Sequence, residues 1–287
     1  DPEEGTDYQR RGMLIHDVLA TLLTEGMDVS EADMAARFRR LVEDRMAMRP
    51  HENRLQRALI RIEAEMLGLV GDAFAMRQVE YGQKLNDVWG GSESSLPPEI
   101  TFGSLPDVDS QAADAIHPPI LFGRDEHAVR VRGRIDRIDV GVVDGRPVFN
   151  VIDYKTGDPP TSNEAELRSG RAIQLALYTS AVQRMGVAGL DATPFQMAYW
   201  SLKGLGLKPG YPSKKGFVAI DVAVVNSMQQ ILDDLIPKLA ESLRSGKFLV
   251  ENSNKDCTGQ CPFHTTCRVN QIRSVSESLQ KIGDILR

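Results

Sequence analysis

The stretch richest in chemistry is residues 129–157, VRVRGRIDRIDVGVVDGRPVFNVIDYKTG, where two alternating runs flank Asp144-Gly145. An Asp-Gly pair in that setting predicts a two-residue type I′ hairpin turn, because both central residues need positive φ. Counting outward from the turn sets Asp136 opposite Asp153 and Arg134 opposite Lys155. Opposed residues share a face, as do residues two apart on one strand, so one surface carries Asp136, Asp153 and Lys155. Two opposed carboxylates repel, and a divalent cation between them removes the repulsion. Hard oxygen ligands suit magnesium or manganese, with Lys155 able to orient a water or steady charge building on a phosphate. The plainer alternative is a solvated hairpin face on which Arg134 and Asp153 form an ordinary surface pair. Ile135 and Ile152 are expected to point the other way into apolar packing. Asp139 falls on the face opposite Asp136 and reads as structural.

All three cysteines lie between residues 257 and 267, spaced C-x3-C-x5-C. Three clustered thiols are a poor disulfide framework and a plausible metal site, which suits a reducing, cytoplasmic compartment. Zinc could use Cys257, Cys261 and Cys267 with His264. A four-thiolate [4Fe–4S] site would lack one ligand, and unliganded thiols are the third option. Any such site would tie the C-terminus to the N-terminal helices and take no part in bond cleavage. Two basic groups stand out: Lys203, Lys208, Lys214 and Lys215 in a Gly/Pro-rich stretch, and Arg124, Arg130, Arg132 and Arg134 near the first of the two runs. Each is a place for a phosphate backbone, or a solvated loop. No aromatic platform for bases is evident. Gly246-Lys247-Phe248 is not a P-loop, and Tyr154 separates Asp153 from Lys155, which excludes an aspartyl-phosphate loop.

With those residues in view, Gly133-Arg134-Ile135-Asp136-Arg137-Ile138-Asp139 and Val151-Ile152-Asp153-Tyr154-Lys155-Thr156-Gly157 resemble the core of the PD-(D/E)XK nucleases, closest to the RecB/AddB-type domain of helicase–nucleases. Arg11-Gly12-Met13-Leu14-Ile15-His16 resembles that family's N-terminal helix, whose His is a metal ligand. Gln174-Leu175-Ala176-Leu177-Tyr178 resembles its Gln-x-x-x-Tyr motif, and the cysteines resemble its iron–sulfur segment. That segment usually reads C-x2-C-x5-C plus a distant fourth Cys, so both the spacing and the count depart here. Glu80 resembles a Glu that the family places on an early strand. Taken alone, His16 reads as an ordinary helix histidine, and Gln174 and Tyr178, four apart, as packing on one helical face.

The resemblance implies a restriction-endonuclease-like α/β fold, a mixed sheet flanked by helices. It also implies a Mg- or Mn-dependent DNA nuclease, with His16, Asp136, Asp153 and the Tyr154 carbonyl on the metal. Asp136, Asp153, Lys155, Gln174 and Tyr178 would be the catalytic set. Single-stranded DNA ends from a helicase, in the same polypeptide or a partner, would be the substrate. A non-catalytic DNA-binding or scaffold module with a nuclease-like fold is the alternative, disfavoured by the intact acids.

These residues need elements to position them. Apolar residues at helical spacing (Leu14 to Leu23, Met34 to Val42, Leu55 to Leu69) predict three N-terminal helices punctuated by Gly26, Pro50 and Gly71. A strand is expected at 75–85 and a long loop or insertion at 86–119. Two paired strands should fill 128–156, a helix 163–185, strands 195–202 and 217–222, and a helix 225–245. The order indicates a mixed α/β domain with a helical N-terminal part. It divides into helices over 1–72, a core over 73–222 and a C-terminal helix with the cysteines over 223–287. The chain's 287 residues carry 34 basic and 40 acidic side chains, net −6, which excludes a global electrostatic grip on nucleic acid but not a local patch. No apolar run approaches a membrane span. The acidic start without Met, Asp1-Pro2-Glu3-Glu4-Gly5, lacks a signal-peptide pattern and suggests a fragment or processed product.

Overall fold

A computed structural model describes residues 2–50, 53–103, 117–204, 206–213 and 217–247, with only the backbone for 2–9. Three helices come first: α1 (Pro2–Glu25), α2 (Glu31–Ala47) and α3 (Arg54–Trp89). Ser30 and Asn53 start α2 and α3 by accepting hydrogen bonds from the backbone N–H groups of Asp33 and Gln56. Short strands β1 (Ser94–Ser95), β2 (Ile100–Phe102), β3 (Ile120–Phe122), β4 (Val129–Val131) and β5 (Gly133–Ile135) lead to the long β6 (Arg137–Val143) and β7 (Arg146–Lys155). Then follow α4 (Glu164–Arg168), α5 (Gln174–Met185), β8 (Thr193–Ser201), β9 (Gly206–Pro209) and α6 (Val222–Arg244).

The main sheet has the order β1-β6-β7-β8-β9, with β7 and β8 parallel and the other neighbours antiparallel. Parallel neighbours need a crossover, and α4 and α5 provide it. Central β7 is buried from Val148 to Tyr154. Its even-numbered Val148, Ile152 and Tyr154 join the core made with α1, α2 and α3. Its odd-numbered Phe149 and Val151 join a second core with α5 and α6. The sheet is thus the middle layer of three, and chemistry at its end can be reached from either side.

The turn at Asp144-Gly145 has φ of 51° and 74°, and pairing runs in the expected register from Val143–Arg146 to Arg137–Ile152. Several expectations need correction. The segment 75–85 is helical, because α3 continues through Gly71, which lies inside the helix and does not end it. A Cβ at Gly71 would stand 2.5 Å from the Phe38 ring, so the glycine allows α2 and α3 close approach. The 1–72 boundary therefore falls within one helix. The periodic residues Leu55, Leu59, Ile62, Met66 and Leu69 are exposed, while Ala64, Leu67, Gly68, Gly71, Phe74 and Ala75 pack inward. Periodicity revealed the helix but not its buried face. Segment 86–119 contains the end of α3 and two short strands. The run before the turn is three strands rather than one: β4 pairs with β3 and β5 with β2. The region 163–185 is two helices, with Gly170 at φ 78° between them. Residues 217–222 hold no strand among those described; β9 lies earlier, and Asp221 caps α6.

Candidate active site

Lys155 ends β7 on the face of its odd-numbered residues, and Asp153 lies two residues before it. Lys155 Nζ is 2.7 Å from Asp153 Oδ2. Gln174, the first residue of α5, ties both together. Its Nε2 donates to Asp153 Oδ1 at 2.6 Å and its Oε1 accepts from Lys155 Nζ at 3.0 Å. One turn on, the Tyr178 hydroxyl accepts from the same Nε2 at 3.3 Å. The four-residue spacing puts Gln174 and Tyr178 on one face, and the crossover delivers that face to the end of β7. Beneath them the Lys155 ammonium lies 5.4 Å from the ring centre of Tyr199, which pairs with Asp153 across β7 and β8.

Asp136 occupies the bend between β5 and β6, one residue beyond the last pair of the hairpin ladder. Its Oδ2 accepts from the Tyr154 backbone N–H at 2.9 Å, and its Oδ1 is 3.2 Å from His16 Nδ1. His16 reaches in from α1, its ring edge-on to Tyr154. One cavity of about 360 Å³ is lined by His16, Asp136, Asp153, Tyr154, Lys155, Gln174 and Tyr178. The structure therefore brings together the residues that the sequence assigned to the site. Arg134, Thr156 and Gly157 line the cavity too. Their signal was proximity alone, two residues before Asp136 and directly after Lys155.

Other expectations differ. Arg134 pairs with Thr101 of β2 instead of lying opposite Lys155. Because the chain bends at Asp136, Ile135 and Ile152 do not share a face: both are buried, but in different cores. Glu80 sits on α3, forms an ion pair with Arg77 at 2.8 Å and borders a different cavity. Asp139 is structural, accepting from Tyr81, Ser95 and Arg137 in the interior. Cys257, Cys261, Cys267, His264, Lys214 and Lys215 lie outside the described residues.

Burial, then the nearby Asp136 charge, raise the Asp153 pKa to about 6 against the opposing pull of Lys155. Burial works against a charged His16, but the hydrogen bond and charge of Asp136 outweigh it and raise its pKa. Among the described residues no three His, Cys, Asp or Glu side chains stand as a ready-made metal cage; His16 and Asp136 contact each other. The donor set nonetheless fits a hard divalent cation. Two buried like charges border one cavity, and Asp153 Oδ2 has the ammonium nearby but no aligned hydrogen bond.

The PD-(D/E)XK nuclease superfamily model matches residues 1–268. Three curated relatives are each named as the B-type subunit of an ATP-dependent helicase/deoxyribonuclease. The one from Desulforudis audaxviator is 32% identical over 139 residues, 47% of this chain and 11% of the relative. That from Desulforamulus reducens is 26% identical over 175 residues, 59% and 13% respectively. That from Moorella thermoacetica is 39% identical over 77 residues, 26% and 7%. The matched part of this chain thus spans about a tenth of the length of these relatives.

Proposed function

The chain belongs to the PD-(D/E)XK nuclease superfamily, and from that premise we propose that it is a metal-dependent deoxyribonuclease domain cutting single-stranded DNA ends fed by a helicase. The helicase would lie in the same polypeptide or in a partner, in a reducing, cytoplasmic setting. The observation that carries this reading is the Asp153–Lys155–Gln174 triangle facing Asp136 and His16 across one cavity. Such a site has more order than a solvated strand face requires.

His16, Asp136, Asp153 and the Tyr154 carbonyl would hold Mg²⁺ or Mn²⁺, which when bound supplies Lewis acidity toward the scissile phosphate and toward water. The protein's own part is positioning. Gln174 holds the Lys155 ammonium against Asp153, leaving one of its three protons for the attacking water or a phosphate oxygen. Tyr178 braces Gln174 and has its own O–H for the substrate phosphate. Asp136, fixed by the Tyr154 N–H, keeps the hairpin and α1 in one geometry. At the cysteines we place a structural [4Fe–4S] or zinc site. Iron, sulfide and zinc content of the purified chain distinguishes these.

The test is digestion of end-labelled single-stranded and duplex DNA with Mg²⁺, Mn²⁺ or chelator. Cleavage of single strands with either metal and none with chelator is expected. Cleavage that persists in chelator overturns the proposal. Tight DNA binding without cleavage under any condition overturns it in favour of a scaffold module.

A further inference from the structure

Residues 129–135 alternate in exposure along β4 and β5, with Arg130, Arg132 and Arg134 outward and Val129, Val131 and Gly133 less exposed. The inner residues are held: Val129 and Val131 pack on the second core, and a Cβ at Gly133 would stand 2.8 Å from the Phe102 ring. Pairing changes partner from β3 to β2 along this ribbon, yet the alternation is unbroken. Three arginines therefore project from one side at two-residue intervals, about 6.6 Å apart at ordinary strand rise. That is close to the spacing of successive phosphates on an extended single strand. The row ends at the cavity, which Arg134 lines and where its guanidinium is 3.4 Å from Glu99. On a chain of net charge −6, such a row is a local basic track.

We propose that Arg130 and Arg132 form a backbone track that leads a single DNA strand to the cavity, with Arg134 its last step; this rests on the nuclease reading above. Each guanidinium would meet one phosphate, so the track confers affinity and direction of approach without sequence preference. Every released counterion contributes to the salt dependence, about 0.7 in the slope of log K against log salt per contact on single strands.

The experiment uses the R130A/R132A variant of the full chain and a fluorescein-labelled oligothymidine, with anisotropy measured in chelator across a salt series. An R54A/R61A variant removes the same charge from α3 as a control. The track predicts a slope smaller by about 1.4 for R130A/R132A, with the wild-type slope kept in the control. With metal added, KM for single-stranded DNA should rise while kcat at saturation stays unchanged. Equal slopes in wild type and R130A/R132A overturn the track while leaving the nuclease reading intact. Equal loss in both variants attributes the effect to net charge and also overturns it. A change confined to duplex DNA overturns the single-strand assignment. A wild-type chain that binds oligothymidine through this row yet never cuts DNA supports the track and removes the nuclease reading.

Discussion

Asp136 and Lys155 border the same cavity, but neither belongs to an apolar core. Asp136→Ala and Lys155→Ala are each expected to abolish metal-dependent cleavage of end-labelled DNA while shifting thermal unfolding little. Removing Asp136 relieves part of the repulsion on Asp153 and offsets the lost hydrogen bonds. Wild-type cleavage by either variant would disprove the assignment. Asp153 carries a pH signature of its own in the metal-free protein. Its folded pKa of about 6 lies above the ordinary carboxylate value, so folding favours its protonated form. The resulting penalty is absent near pH 4 and grows as pH rises through 6, reaching up to about 3 kcal/mol. In chelator, Asp153→Asn should therefore melt above wild type at pH 7, the gap closing toward pH 4. A gap constant with pH would show that the ionised carboxylate is not the cause.

At the scale of elements, α3 offers an internal comparison between two of its glycines. A Cβ at Gly71 would collide with Phe38, whereas a Cβ at Gly82 meets nothing within 4 Å. Gly71→Ala gains helix propensity but forces α2 and α3 apart, and overpacking of this kind costs about 1–3 kcal/mol. Its unfolding midpoint should fall, while that of Gly82→Ala should rise by the equivalent of about 0.5–1 kcal/mol. Denaturant unfolding of the two variants checks this, and an equal response in both would mean that the α2–α3 contact can yield. The exposed and buried faces of α3 follow from the same packing: small residues face α2, leaving the large apolar residues of the first half outside.

Across the whole molecule, a buried polar network fastens the helical layer to the sheet. Asp139 accepts from Tyr81 of α3 at 2.7 Å, from Ser95 of β1 and from Arg137 of β6 at 2.8 Å. Arg137 also donates to Gln78 of α3 at 2.8 Å and lies 3.4 Å from the Tyr154 hydroxyl, one residue from the catalytic strand's end. Removing one partner leaves a buried charge uncompensated, which costs about 3–5 kcal/mol. Asp139→Ala should therefore lower the global unfolding free energy by about that much. Asp136→Ala, three residues away, should change it by much less. Chemical denaturation of the pair separates a structural acid from a site acid, and similar losses in both would contradict the division.

What the sequence determined was local or periodic. The Asp144-Gly145 turn demands positive φ at two residues, so it set the β6–β7 register and with it the placing of Asp136 beside Asp153. Gln174 and Tyr178 share a face because any helix places residues four apart together, and Asp139 departs from Asp136 because strands alternate. The order of these motifs sufficed to carry the resemblance and the mixed α/β class. Other features depended on contacts between distant segments. Periodicity in α3 could not tell which face is buried, because α2 selects the small residues through Phe38. The break at Asp136 arises where β5 leaves β7 to pair with β2, and this sends Ile135 to a different core from Ile152. Glu80 moved from an expected strand to a helix because α3 runs through Gly71. The joining of Lys155 to Gln174, and of His16 to Asp136, required α5 and α1 to close on the sheet from opposite sides. Spacing along the chain holds no record of such closure, since it is decided by which surfaces the layers bury against one another.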